Sequence, residues 1–153
     1  MNIAVVGAGA AGLFLSKLLS ETKNCNIHIF ERTGKPGYKV KASGGGKANI
    51  LNTHISGECY NNAAFIANLL SRVNYQTIRA EFEKMGLKMS VDEENRVYPS
   101  TFFSQTVLDV LLNDLSDRVQ FHYNTEVQQI SSKGRHYYIN EEATAFDAVV
   151  LAS

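Results

Sequence analysis

The residues best suited to bind a ligand stand at the start of the chain, in a glycine-rich turn. The turn reads Gly7-Ala8-Gly9-Ala10-Ala11-Gly12. At this spacing the first glycine allows a tight strand-to-helix turn, the second lets the backbone approach a pyrophosphate, and the third lets the helix pack closely on the strand. The first N–H groups of the helix and its positive dipole end attract phosphate oxygens. The turn therefore predicts dinucleotide binding.

The elements around the turn are those of a nucleotide-binding βαβ unit. An apolar strand, Asn2 to Val6, precedes the turn, and an apolar helix, Leu13 to Leu19, follows it. A second strand, Asn26 to Phe30, ends on Glu31. Glu31 lies about 20 residues beyond the glycines, where a carboxylate can accept hydrogen bonds from ribose hydroxyls. An ordinary glycine-rich turn is the alternative, and the order of the elements favours the nucleotide site.

Composition and charge narrow the class of protein. The 153 residues are 44% hydrophobic and 20% charged, which is typical of one globular domain. The formal net charge of +0 gives no reason to expect nucleic acid or an anionic membrane as a partner, and no apolar run is long enough to span a bilayer. Cys25 and Cys59 form no disulfide framework, and neither they nor the four histidines have metal-ligand spacing. We expect a cytoplasmic protein without a metal site, whose histidines are packed or solvated.

The remainder of the chain divides into a loop-like segment and a segment with helical and strand-like patterns. Arg32 to Asn62 is rich in glycine and asparagine and is too long for an ordinary connection, so it predicts a functional loop. Helical and then strand-like patterns follow it. The predicted elements are helices over Ala63–Arg72 and Tyr75–Met85, a stop at Gly86, a hairpin over Leu87–Tyr98, a helix from an N-cap at Ser104 to Leu115, and strands over Val119–Tyr123, Glu126–Ser132, Arg135–Asn140 and Thr144–Phe146.

The last segment, Asp147 to Ser153, is a near-continuous apolar run of the kind buried in a parallel sheet. Such a strand needs a neighbour on each side, and no further strand follows it. We expect an α/β fold with a parallel sheet, helices on both faces and an antiparallel β-meander. We also expect residues 1–153 to be the N-terminal part of a longer protein without its substrate domain. The alternative is a small domain with this strand at a sheet edge.

A second glycine-rich segment, Ser43-Gly44-Gly45-Gly46-Lys47, lies within the predicted loop. Glycines let the backbone lie against a flat ring or a phosphate, and Lys47 adds a cation. The segment is not a phosphate-binding Walker A loop, because its first glycine is missing and Ala48 replaces the Ser or Thr that would hold magnesium. Three features favour FAD over NAD. The nucleotide turn comes first in the chain, Arg32 follows Glu31, and short antiparallel strands stand between the parallel ones in place of a simple helix crossover. A non-catalytic dinucleotide-binding module and a small NAD-dependent protein remain alternatives.

A family resemblance spans essentially the whole chain, and its most specific part is the segment Ser43-Gly44-Gly45-Gly46. Asn2 to Arg32 resembles the FAD-binding start of glutathione-reductase-like flavoproteins. Gly37 to Asn52 resembles the second signature of a bacterial branch, the aminoacetone-oxidase-like NAD(P)/FAD-dependent oxidoreductases. That signature usually reads Ser-Gly-Gly-Gly-Arg-Cys-Asn with a nearby Thr-Asn, and this chain has Lys47, Ala48 and Leu51 in place of the Arg, Cys and Thr.

The resemblance implies the FAD-binding domain of a flavin-dependent oxidoreductase, with NAD(P)H as a candidate electron donor and a small molecule as substrate. It also implies that Val127 contacts adenine through backbone atoms. No catalytic residue is assignable, and residues 1–153 alone are expected to show no turnover. The residues expected to bind the cofactor are Gly7, Ala8, Gly9, Ala10, Ala11, Gly12, Glu31, Arg32, Lys39, Ser43, Gly44, Gly45, Gly46, Asn49 and Val127.

Overall fold

The computed structural model describes residues 1–115 and 117–153. The chain forms two compact units. The first combines Met1–Val40 with Leu111–Ser153, and the second is Lys41–Val110. Among the described residues, no helix has both the length and the apolar character needed to cross a bilayer.

The first unit is built on a four-stranded parallel sheet. Its strands are β1 (Asn2–Val6), β2 (Asn26–Phe30), β6 (Val119–His122) and β9 (Ala148–Leu151), in the order β6-β2-β1-β9. All three strand pairs are parallel, which confirms the predicted sheet. Helix α1 (Ala10–Ser20) connects β1 to β2.

Strand β9 is less buried than its apolar sequence predicts. It pairs with β1, and in the described part of the chain it forms one edge of the sheet. Its residues are half-buried except Leu151, which is 70% exposed. Among the described residues β9 therefore has one strand neighbour, which both the incomplete sheet and the small domain with an edge strand predict.

The two faces of the sheet are covered by different elements. Alternate side chains of a strand point to opposite faces. Val5 lies beneath α1, because a Cβ atom on Gly12 of that helix would be 3.3 Å from the Val5 side chain. On the other face Ala4 and Phe30 form a buried cluster with Ile139 and Phe146 from the C-terminal part of the chain. Both faces of the sheet are thus packed against other parts of the first unit.

A pair of histidines joins this second cluster. His28 Nδ1 and His122 Nε2 share a hydrogen bond of 3.0 Å, and the His122 ring stacks on Phe30 at 4.6 Å between centroids. Phe146 meets His28 edge-on at 5.2 Å. Burial, and then the charge of His122, lowers the pKa of His28 despite the opposing charge of Glu142. The pair is packed, as the sequence predicts.

Two predicted strands near the C-terminal hairpin differ from the structure. Strands β7 (Ile130–Lys133) and β8 (His136–Ile139) turn through Gly134. The predicted strand over Thr144–Phe146 is wrong except for an isolated bridge between Phe146 and Tyr137. The predicted strand over Glu126–Ser132 is wrong for residues 126–129. There the Asn140 side chain takes the place of a partner strand: its Oδ1 accepts from the N–H groups of Gln128 and Gln129, and its Nδ2 donates to the Glu126 carbonyl.

The second unit contains a three-stranded antiparallel sheet and helices. The sheet has the order β3-β5-β4. The bounds are β3 (Leu51–Asn52), α3 (Ala63–Leu70), α4 (Tyr75–Lys84), β4 (Met89–Val91), β5 (Arg96–Pro99) and α5 (Ser104–Leu112), the last of which continues into the first unit.

Local chemistry accounts for several of these bounds. Asn74 and Thr77 form a capping box that starts α4, and Gly86, at a φ of +90°, follows its end as predicted. The predicted loop over residues 32–62 also contains regular structure, including the short helix α2 (Tyr38–Ala42). Ser104 is not the predicted N-cap: it lies inside α5, and its hydroxyl donates to the Lys41 carbonyl at 2.9 Å.

Candidate nucleotide-binding site

The glycine turn and Glu31 lie at the carboxyl ends of the parallel strands of the first unit. The N–H of Gly7, directly after β1, donates to the Phe30 carbonyl at 2.8 Å. The N–H of Glu31, directly after β2, donates to the His122 carbonyl, and the Thr125 N–H donates back to the Glu31 carbonyl, both at 2.9 Å. Open α/β sheets bind ligands at this edge.

Two glycines of the turn are needed by the protein itself. Gly7 has a φ of +104°, and a Cβ atom there would lie 2.9 Å from the Ala152 carbonyl oxygen. A Cβ atom on Gly12 would overlap the Gly7 carbonyl oxygen. Side chains at these positions would therefore strain the turn or push α1 off β1.

Gly9 has no such internal reason to be a glycine. Its φ of −81° and ψ of −170° suit any residue. The atom nearest to an added Cβ is the Ala152 carbonyl oxygen at 3.9 Å, which is an ordinary contact. Gly9 is the N-cap of α1, where no side chain caps the helix, and Ala10 and Ala11 are exposed in the first turn. The bare surface fits a ligand anion at the helix N-terminus.

Glu31 is held in place by three hydrogen bonds. Its Oε2 accepts from the Ala8 N–H at 2.9 Å. Its Oε1 accepts from the N–H of Thr33 at 2.9 Å and from the Thr33 hydroxyl at 2.8 Å. A carboxylate offers about four acceptor positions, so this fixed group retains capacity for a ribose hydroxyl. Ala8 itself is buried, and its carbonyl accepts from the Gly37 N–H at 2.8 Å.

These contacts keep Glu31 ionised. Burial acts to raise the pKa of Glu31, but the hydrogen bonds from Thr33 and Ala8, together with the Arg32 charge, bring the pKa below its ordinary value of 4.5. A carboxyl group with a lowered folded-state pKa stabilises the fold above its unfolded-state pKa. That contribution is lost as the pH falls through the folded-state pKa.

Replacing Glu31 by Gln tests this charge. We expect the difference in free energy of unfolding between wild type and Glu31→Gln to be constant above pH 4.5 and to shrink below it. Urea denaturation of both proteins, followed by circular dichroism across this range, measures the difference, and the other carboxyl groups cancel because both proteins contain them. A difference independent of pH would show that Glu31 gains nothing from ionisation.

Tyr123 also belongs to this edge, and sequence reasoning missed it. It directly follows β6, its ring stacks on Phe121 at 5.2 Å, and burial followed by the charge of Glu31 raises its pKa. The Tyr123 phenol therefore stays protonated near the carboxylate. The signal was present, because the predicted strand over residues 119–123 ends here. Thr33 was missed as well, although it follows Glu31 by two residues.

Three further predicted residues of the first unit lie in different settings. Arg32 and Lys39 are exposed. Val127 is half-buried and packs on the cluster that contains Ala4 and Phe30. The backbone contact of Val127 with adenine stays a prediction.

The second glycine segment belongs to the second unit. Gly44, Gly45 and Gly46 have φ angles of +58°, +64° and +88°. A Cβ atom on Gly44 would be 2.9 Å from the Asn49 N atom, whereas one on Gly45 or Gly46 would have nothing within 4 Å. Ser43 is half-buried and Asn49 is exposed. The segment is thus a left-handed turn with an open, bare surface, and its role in cofactor binding stays a prediction.

Curated relatives match most of the length of the chain. It is 24% identical over 157 residues to the 3-dehydro-bile acid delta(4,6)-reductase of Clostridium scindens, covering 99% of this chain and 38% of that protein. It is 25% identical over 130 residues to the ribosomal RNA dihydrouridine synthase of Escherichia coli, covering 83% of this chain and 32% of that protein. The chain therefore spans well under half the length of either relative.

Solved structures share the fold. THI4 from Thermovibrio ammonificans matches with a TM-score of 0.58 at 14% identity, over 99% of this chain and 57% of that one. The L-proline dehydrogenase of P. horikoshii matches with a TM-score of 0.54 at 14% identity, over 99% of this chain and 22% of that one. The family model described as HI0933-like protein Rossmann domain matches residues 1–153, and the chain belongs to this family.

Proposed function

We propose that the chain binds FAD and forms the N-terminal, cofactor-binding part of a flavin-dependent oxidoreductase. Gly9 carries the proposal. The protein leaves room for a side chain there and still has none, at a helix N-terminus beside a fixed carboxylate. A pyrophosphate at this position accounts for the glycine, and an adenosine ribose accounts for Glu31.

The roles of the other residues follow from their places. The exposed first turn of α1, at Ala10 and Ala11, would bind the pyrophosphate, and the segment around Val127 would bind the adenine. The bare turn that contains Gly45 and Gly46 suits a flat ring or a phosphate. FAD, when bound, supplies hydride and electron transfer. The residues of this chain bind and orient it, and none of them is assigned a catalytic role.

The relatives support redox chemistry for the whole protein. One of them is named a reductase and the other a dihydrouridine synthase. Because this chain spans only 38% and 32% of those proteins, we propose that residues 1–153 alone have no turnover. The same proposal includes three further points: a closer relationship to the aminoacetone-oxidase-like enzymes, NAD(P)H as the electron donor, and a location in the cytoplasm.

Titration with FAD tests the cofactor. We expect FAD to bind the chain, as measured by flavin fluorescence, and ADP-ribose to compete with it because both present a pyrophosphate to the α1 N-terminus. NAD serves as the comparison ligand. Tight binding of NAD without binding of FAD would overturn the FAD assignment and favour a small NAD-dependent protein.

A further inference from the structure

Two adjacent phenylalanines in the second unit are exposed. Phe102 and Phe103, between β5 and α5, have 46% and 61% of their surfaces accessible. Phe102 also has a φ of +51°, a left-handed conformation that a bulky residue rarely adopts and that stores strain. An exposed pair in a strained turn calls for a reason beyond folding.

The turn holds both residues in a defined position. The Phe102 N–H donates to the Pro99 carbonyl at 2.8 Å. The Phe103 carbonyl accepts from the Thr106 N–H at 3.0 Å, and the hydroxyls of Thr101 and Thr106 are 2.7 Å apart. The two rings are therefore presented by a fixed backbone.

The neighbouring surface is the bare glycine turn. Tyr98 is buried and links the two features: its ring centroid is 5.7 Å from that of Phe102, and its Cε1 atom would lie 3.5 Å from a Cβ on Gly44. The hydrogen bond from Ser104 to the Lys41 carbonyl ties the end of the phenylalanine turn to the start of the glycine segment. Tyr98 and the Ser104 hydrogen bond thus connect the phenylalanine turn to the glycine segment within one unit.

We propose that Phe102, Phe103 and the Gly45–Gly46 backbone form a binding site for a planar, conjugated ring. A backbone without side chains offers a flat surface, and aromatic rings stack or pack edge-on against such a ligand. The proposal rests on the proposed function for the origin of the ring, which is either the flavin or a flat substrate beside it.

Phe103→Ser tests the site, with Phe65→Ser as the matched control. Phe65 is 75% exposed on α3 in the same unit, so its loss removes an equally exposed ring elsewhere. The probes are lumiflavin, which has the flavin ring without the ADP half, and naphthol, a flat ring unrelated to flavin. We expect Phe103→Ser to weaken ring binding about fivefold in fluorescence titrations and Phe65→Ser to leave it unchanged.

A second variant, Phe102→Asn, keeps a residue that tolerates the left-handed conformation and should weaken binding similarly. Weakening confined to lumiflavin identifies the ring as flavin, and weakening confined to naphthol identifies it as substrate. The site is refuted if the wild type binds neither probe, if Phe103→Ser and Phe102→Asn both bind as the wild type does, or if Phe65→Ser weakens binding as much as they do. ADP-ribose titration reports separately on the nucleotide site. If the wild type binds ADP-ribose and neither ring probe, only this inference is overturned. If it binds a ring probe and not ADP-ribose, only the proposed function is overturned.

Discussion

Gly9→Val is expected to abolish FAD binding while leaving the fold intact. The valine side chain would fill the space that we assign to the pyrophosphate, because within the protein an added Cβ has only the Ala152 carbonyl oxygen, at 3.9 Å, as a neighbour. Loss of two charge-assisted hydrogen bonds to phosphate, at about 1.5 kcal/mol each, would weaken binding at least about 100-fold. Fluorescence titration of FAD measures the loss.

Two controls make this result specific. Ala64→Val places the same side chain on the exposed helix α3 and should leave FAD affinity unchanged. The urea midpoint of Gly9→Val should fall only slightly, because the φ of −81° suits valine and the loss of a glycine N-cap costs about 1 kcal/mol or less. A folded Gly9→Val protein with normal FAD affinity would refute the assigned site, and a midpoint lowered by more than the N-cap substitution accounts for would make Gly9 a structural glycine.

The sequence alone predicts the β1-α1-β2 unit well, because periodicity, glycine spacing and the acid after β2 agree. The start of α1 is the exception. Apolar spacing predicts Leu13, whereas the helix begins at Ala10. The helix begins directly after Gly9, whose backbone is extended. Hydrophobic periodicity does not report this boundary, because the first turn of the helix contains no periodic apolar residue.

Contacts between distant residues explain what the sequence could not predict. The segment over residues 126–129 has a strand-like composition, yet Asn140 hydrogen-bonds three of its backbone groups and prevents strand pairing. Such a side chain is indistinguishable in the sequence from any other turn asparagine. Tyr123 joins the site for a similar reason: its proximity to Glu31 depends on the pairing of β6 with β2.

Gly12→Ala is expected to destabilise the protein by about 2 kcal/mol. The added Cβ would overlap the Gly7 carbonyl oxygen, so α1 must move away from β1, and overpacking of this kind costs about 3 kcal/mol. Helix propensity favours alanine over glycine by about 1 kcal/mol and offsets only part of that cost. Urea denaturation followed by circular dichroism measures the change in the free energy of unfolding.

Gly9→Ala is the matched control, since it adds the same Cβ three residues earlier where no backbone atom obstructs it. It should lower the free energy of unfolding by about 0.5 to 1 kcal/mol, which is less than the loss expected for Gly12→Ala, because alanine is a poorer N-cap than glycine. A Gly12→Ala protein as stable as the wild type would mean that α1 does not need to lie this close to β1. The expected contrast separates two demands within one short turn: Gly7 and Gly12 are glycines because the chain must pack on itself, and Gly9 because a ligand must approach it.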